Sequence, residues 1–187
     1  MIDTRMMVFL GAVAVFLAAL AMVVIRSYRR AGRSADRDWG LLLGRLEAVN
    51  NRSIAEVALD FIDETGQQRR DEGSATLEPE RIWKLVGGLE GLKALEANCE
   101  VLIDLAFYLQ QWYPDALIVT EQLRLSARDI EWHFNRLKSA QKTGKLKGAF
   151  AEYAQPAVAT YYSMTRRLLD LYEQGNFPML AELRKAL

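Results

Sequence analysis

From Met6 to Ile25 the chain reads MMVFLGAVAVFLAALAMVVI, twenty residues without one charged or strongly hydrogen-bonding side chain. A helix of that length rises about 30 Å, the thickness of a bilayer's hydrocarbon core. Gly11 and the alanines do not spoil it, because a helix in lipid satisfies its own backbone groups. The run predicts a single transmembrane helix over residues 6–25.

Its flanks set the direction. Only Asp3 and Arg5 precede it, and they cancel, whereas Arg26, Arg29, Arg30, Arg33 and Arg37 follow it, opposed there only by Asp36. Positive charge behind an apolar helix keeps that end in the cytoplasm. Residues 1–5 are therefore expected outside, too short for a sensor domain. Residues 26–37 form a basic juxtamembrane linker, and 38–187 a cytoplasmic domain at the inner membrane. The five arginines are also candidates for headgroup contact, at about 1 kcal/mol each beside an anionic surface.

A cleaved leader is the rival, since Ala19-Leu20-Ala21 has a small-x-small pattern and Arg5 offers a short basic start. The apolar run continues to Ile25, however, and arginines directly past a cleavage site oppose export, so the anchor is preferred. Gly11, Ala14, Ala18 and Ala21 would let two anchors approach closely.

Composition narrows the function classes. The chain has 187 residues and equal numbers of basic and acidic groups, 24 of each, which opposes a protein that coats nucleic acid over its whole surface. Six of the basic and two of the acidic groups precede residue 38, leaving the body with 18 against 22. Its aromatics fall mainly on apolar stripes rather than among basic residues, unlike the stacking platforms of single-strand binders. One Cys excludes an intrachain disulfide and a Cys-rich zinc site, and one His excludes every site that needs two.

After residue 37 no stretch alternates long enough for a strand, and heptad-like spacing dominates. Pro79, a good first helical residue, opens a stripe of Leu85, Leu89, Leu92, Leu95, Cys99, Leu102, Ala106, Leu109 and Tyr113 that Pro114 closes. This predicts one long helix. Val119, Leu123, Ala127, Ile130, Phe134 and Leu137 form a second stripe, ending near Thr143-Gly144. Phe150, Ala154, Ala157, Tyr161, Met164, Leu168 and Leu171 form a third, closed by Gly175-Asn176. Pro156 lies within it, so a kink or break is expected near residues 152–155. Phe177-Pro178 starts a short terminal helix.

Upstream, residues 38–64 read as one bent helix or two, with the stripe shifting at Asn50-Asn51. Residues 65–78 are polar and aperiodic, the one long loop. Short links between long amphipathic helices favour antiparallel neighbours. The expected fold is all-α: the transmembrane helix followed by an antiparallel four- to five-helix bundle.

Glu96, Glu100 and Asp104 line one helical face. A ferritin-like di-iron site would also need two Glu-x-x-His pairs, which a single His forbids. An oxygen-only magnesium or calcium site stays open, but the preferred explanation is an ion-pair ladder. A hairpin about Pro114 brings Arg124 and Arg128 level with Asp104 and Glu100.

His133 follows Asp129 by one turn, yet no nucleophile accompanies the pair. Cys99 sits on an apolar stripe with nothing basic within a turn, as a buried thiol would. Gly87, Gly88 and Gly91 lack the strand and the Gly-Lys-Ser/Thr ending of a phosphate loop, so close packing or a weak point in the helix explains them better.

Two surface groups remain. Arg136 to Lys147 contains Lys138, Lys142, Lys145 and Lys147 without an acid, a candidate lipid or partner patch. Trp112 and Tyr113 lie at the hairpin tip, where aromatics suit a protein partner. No catalytic residue, metal ligand or cofactor is assigned. The expectation is a membrane-tethered cytoplasmic scaffold or interaction module that binds a protein partner or itself, with nucleic acid disfavoured. The alternatives are a membrane-attached enzyme using the carboxylates or His133, and a bundle that grips lipid through its basic turn.

Overall fold

Seven helices and no strand make up the described residues, which are 39–63, 66–67 and 76–187 of a computed structural model. The all-α expectation holds for them. The segments 1–5, 6–25 and 26–37, with Arg26, Arg29, Arg30, Arg33 and Arg37, lie outside the described residues, as does most of the loop 65–78. The chain divides into two units, Met1–Arg37 and Asp38–Leu187. No described helix is both long and apolar enough to cross a membrane.

The helices are α1 (Trp39–Leu43), α2 (Asn51–Phe61), α3 (Pro79–Val86), α4 (Gly88–Leu109), α5 (Ala116–Lys142), α6 (Leu146–Gln174) and α7 (Leu180–Ala186). Their number exceeds four or five because residues 38–64 take the two-helix alternative and the helix expected from Pro79 is divided. Residues 38–64 separate into α1 and α2, and Asn50 caps the second, its side-chain oxygen accepting from the Ser53 N–H at 3.1 Å.

The helix expected to run unbroken from Pro79 to Tyr113 stops at Val86. Gly87 takes a left-handed conformation (φ 80°) and donates its N–H to the Trp83 carbonyl, ending α3, and α4 restarts at Gly88. A Cβ placed on Gly91 would overlap the carbonyl oxygen of Val86, so the joint needs glycine there too. The glycines serve a corner rather than a phosphate.

Of the kink or break expected near residues 152–155, the break does not occur, for α6 continues through Pro156 from Leu146 to Gln174. Proline removes one helical hydrogen bond, at a cost of about 3 kcal/mol. Ala154, Gln155, Ala157, Val158 and Ala159 around it are all buried, and that packing holds the turn.

Helices α4, α5 and α6 form the centre. Gln110 bonds Thr120 at 2.8 Å near the α4–α5 turn, and Glu96 pairs with Lys138 at 3.8 Å far from it, so these two helices are antiparallel. Thr160 donates to Asp129 at 3.2 Å, and Trp132 meets Tyr153, so α6 runs back along α5. Leu102, Leu105, Leu109, Leu123, Ile130, Leu137, Met164 and Leu168 fill the space between them. Each such side chain contributes about 1.5–3 kcal/mol on burial.

Two polar groups tie elements across this core. Asn98 (1% exposed) accepts from the Glu47 N–H at 2.7 Å and donates to the Glu47 carbonyl at 2.9 Å, clamping the α1–α2 connection. The Tyr172 hydroxyl donates to the Leu105 carbonyl at 3.0 Å. At one end of the bundle Trp39 packs at a tilt against Tyr108 and Tyr172, and Tyr108 meets Trp112 edge-on. At the other, Trp83 packs on Phe150 and Lys147 pairs with Glu80.

Candidate functional site

The α5 sequence carries two apolar rows. Ala116, Leu123, Ile130 and Leu137 are buried and face α4 and α6. Ile118, Leu125 and Trp132 repeat the same spacing of seven, two residues later. Two residues turn an α-helix by about 200°, so this second row points away from the core. Ile118 is 63% exposed, Leu125 65% and Trp132 49%. Leu117 and Trp112 extend the exposed apolar surface to the hairpin tip, where Trp112 packs edge-on against Tyr108.

Charges border the row in a fixed order. Glu121 and Arg128 lie along one margin, Asp115 and Asp129 along the other, and Arg136 continues the line of Ile118 at the end of the row, all exposed. Arg136 lies over the Trp132 ring at 5.0 Å, and Arg124 pairs with Glu121 of its own helix.

The outward row was not singled out from sequence. Its signal was present, because the offset of two from the core row is visible in the residues themselves. A single exposed Leu or Ile is ordinary, whereas three large ones at heptad spacing line one face of the helix about 10 Å apart, with Glu121, Gln122, Arg128 and Asp129 between them.

The Trp112–Tyr113 pair is separated by its surroundings. Trp112 is exposed, whereas Tyr113 is half-buried against Phe177 at 6.2 Å and caps the core. The four lysines occupy the far end of α5 and the start of α6, about 30–40 Å along the helix from the Trp112 end. The basic and aromatic groups therefore form two surfaces. Lys138 pairs with Glu96 and lies 4.0 Å from the Phe134 ring centre, Lys147 pairs with Glu80, and Lys142 and Lys145 are exposed around the turn.

The carboxylate row is drawn apart. Asp104 accepts from Arg45 at 2.6 Å and Glu96 takes Lys138, so the expected ladder of Asp104 with Arg124 and Glu100 with Arg128 does not form. The α4–α5 register, fixed by Gln110 opposite Thr120, is offset from the one a turn centred on Pro114 would set. Burial raises the Glu96 carboxyl above its ordinary value, with Lys138 opposing and Glu131 and Glu100 adding. Among the described residues no three acidic, histidine or cysteine side chains converge as a metal site would require.

His133 lies largely under Trp132 and Tyr153, with Nε2 3.8 Å from Asp129 and Nδ1 buried without a hydrogen-bonding partner among the described residues. Burial lowers its basicity against the pull of Asp129. Cys99 is buried, and burial pushes its thiol up to about 12. A thiol held so far from thiolate is a packing group rather than a nucleophile.

The chain matches no family model, no curated protein and no solved structure.

Proposed function

We propose that this protein is a membrane-tethered helical module, facing the cytoplasm, that works by binding protein along the outward face of α5. One observation carries the binding surface: Ile118, Leu125 and Trp132 stand exposed in a row on a helix whose opposite side is locked into the core. Large exposed apolar rows cost solubility and are characteristic of interaction sites. The uncharged segment 6–25 with its trailing arginines supports the tether. Held near a bilayer, the body meets its partners at raised local concentration, which lets a modest surface suffice.

The tether is tested by extracting membranes at alkaline pH and by reporter fusions at Leu187. The expected chain resists extraction and carries an active reporter on the cytoplasmic side. A reporter active only in the periplasm overturns that part. For the binding surface, a photo-crosslinking amino acid at Leu125 in intact cells is expected to capture protein. Capture of lipid alone, or of nothing, overturns it.

A further inference from the structure

We infer that the outward face of α5 binds a second copy of this chain, antiparallel about a two-fold axis that passes beside Leu125. This deepens the proposal above by naming the partner, and it rests on the tethering reading for its concentration. The inference itself comes from the order of residues along one exposed face.

An isologous contact requires one patch to be complementary to itself. Place two α5 helices face to face and antiparallel, with Leu125 of each copy on the axis. Ile118 and Trp132 lie equally far from Leu125, seven residues on either side. Ile118 of each copy then packs against Trp132 of the other, and Leu125 against Leu125. The small and large side chains alternate across the seam, so the three layers keep a similar thickness.

The margins agree with the same axis. A two-fold perpendicular to the helices brings equivalent margins together. Arg128 lies three residues after Leu125 and Glu121 four before it, on one margin. Antiparallel pairing therefore sets Arg128 of each copy beside Glu121 of the other. Arg136 lies eleven residues after Leu125, at the end of the row, and Asp115 ten before it on the second margin, so these two come level across the axis. Four ion pairs of correct sign follow from one operation. Parallel pairing in register instead sets Glu121 beside Gln122 and Arg128 beside Asp129, and it brings Arg136 of the two copies together, with half as many favourable pairs. Charge order thus selects the antiparallel arrangement.

Three apolar layers with solvent-accessible ion pairs make a small interface by the standard of stable dimers. Such a contact is weak for freely diffusing chains, and confinement to a membrane supplies the missing concentration.

The test uses the full-length chain in membranes of expressing cells, oxidised with copper–phenanthroline. The native chain carries only Cys99, which is buried, and should give no cross-linked dimer. Leu125→Cys is expected to yield a disulfide-linked dimer. Ile118→Cys alone and Trp132→Cys alone should not, since each thiol lies about 20 Å from its own copy in this register. Co-expressed, the two variants should cross-link. Arg128→Glu should lower the Leu125→Cys yield at least about threefold, and Glu121→Arg in the same chain should restore it. Absence of the Leu125→Cys dimer overturns the inference, and so does an equal dimer from Ile118→Cys alone, which signifies parallel pairing.

Alkaline extraction of the same membranes reports the tether separately. A chain that stays in the membrane yet gives no Leu125→Cys dimer refutes the pairing alone. A chain released by extraction refutes the tether, and the same cysteine pattern in the purified, concentrated chain then decides the pairing.

Discussion

His133 shows how one side chain answers to neighbours from two helices. Its ring is enclosed by Trp132 beside it and Tyr153 on α6, which removes water from a group ordinarily half-protonated near pH 6.5. Burial favours the neutral form, and Asp129 only partly offsets it. A base whose folded value lies below its unfolded one takes up protons on unfolding as the pH drops. The fold therefore has its full stability at this site above about pH 6.5 and loses it as the pH falls below that value. His133→Phe, which also removes the unpartnered Nδ1, is expected to abolish that slope and to melt no lower than the native chain at pH 5.5. Scanning calorimetry between pH 5 and 7.5 checks it, and an unaltered slope would place the sensitivity elsewhere. The nearness of Asp129 was legible one turn back in the chain. The enclosure was not, because Tyr153 lies twenty residues away and only the α5–α6 turn brings it over.

At the scale of elements, apolar periodicity located the helices well and located their ends badly. The stripe from Leu85 to Tyr113 passes through Gly87 at steps of three and four, so nothing in its spacing marks the corner between α3 and α4. A glycine that permits a left-handed turn and one that permits close packing look alike in a sequence. Gly91 separates the cases, because its missing Cβ is what lets the Val86 carbonyl approach. Gly91→Ala is predicted to destabilise the protein by about 1–3 kcal/mol, read from urea unfolding. Were Gly91 merely an interior helical glycine, the same change would stabilise by up to about 1 kcal/mol. At Pro156 the expected break is what fails. Local propensity argues for a break, and the buried residues on both sides of it override that preference.

For the whole molecule, Asp60 is the clearest long-range tie. Its carboxylate accepts from the Thr76 N–H at 2.8 Å and hydroxyl at 2.6 Å, the Leu77 N–H at 3.2 Å and the Gln155 amide at 2.9 Å. One side chain of α2 thus fastens the approach to α3 and the middle of α6. Burial by itself would raise this carboxyl, but the hydrogen bonds from Thr76, Leu77 and Gln155 outweigh it and hold the group below its ordinary 3.8. Such a group stabilises the fold above that value, and the contribution disappears as the pH falls through the lower, folded one. Asp60→Ala is expected to cost about 1–2 kcal/mol at neutral pH, solvent screening keeping it modest, and to flatten the acid limb below about pH 4. Chemical denaturation at pH 7 and pH 3 measures both.

By itself the sequence determined the helical class, the apolar run at the N-terminus, the asymmetry of its flanking charge and the burial of Cys99. These are properties of neighbours along the chain, where 3.6-residue periodicity and the clustering of apolar and charged residues are read directly. Only the tertiary structure decided that α3 turns into α4, that Asp104 goes to Arg45, and that the lysine group and Trp112 stand at opposite ends. It also decided which of the two apolar rows on α5 is spent on the core and which is left outward. That choice depends on where α4 and α6 press against α5, and a helix read alone has no inside.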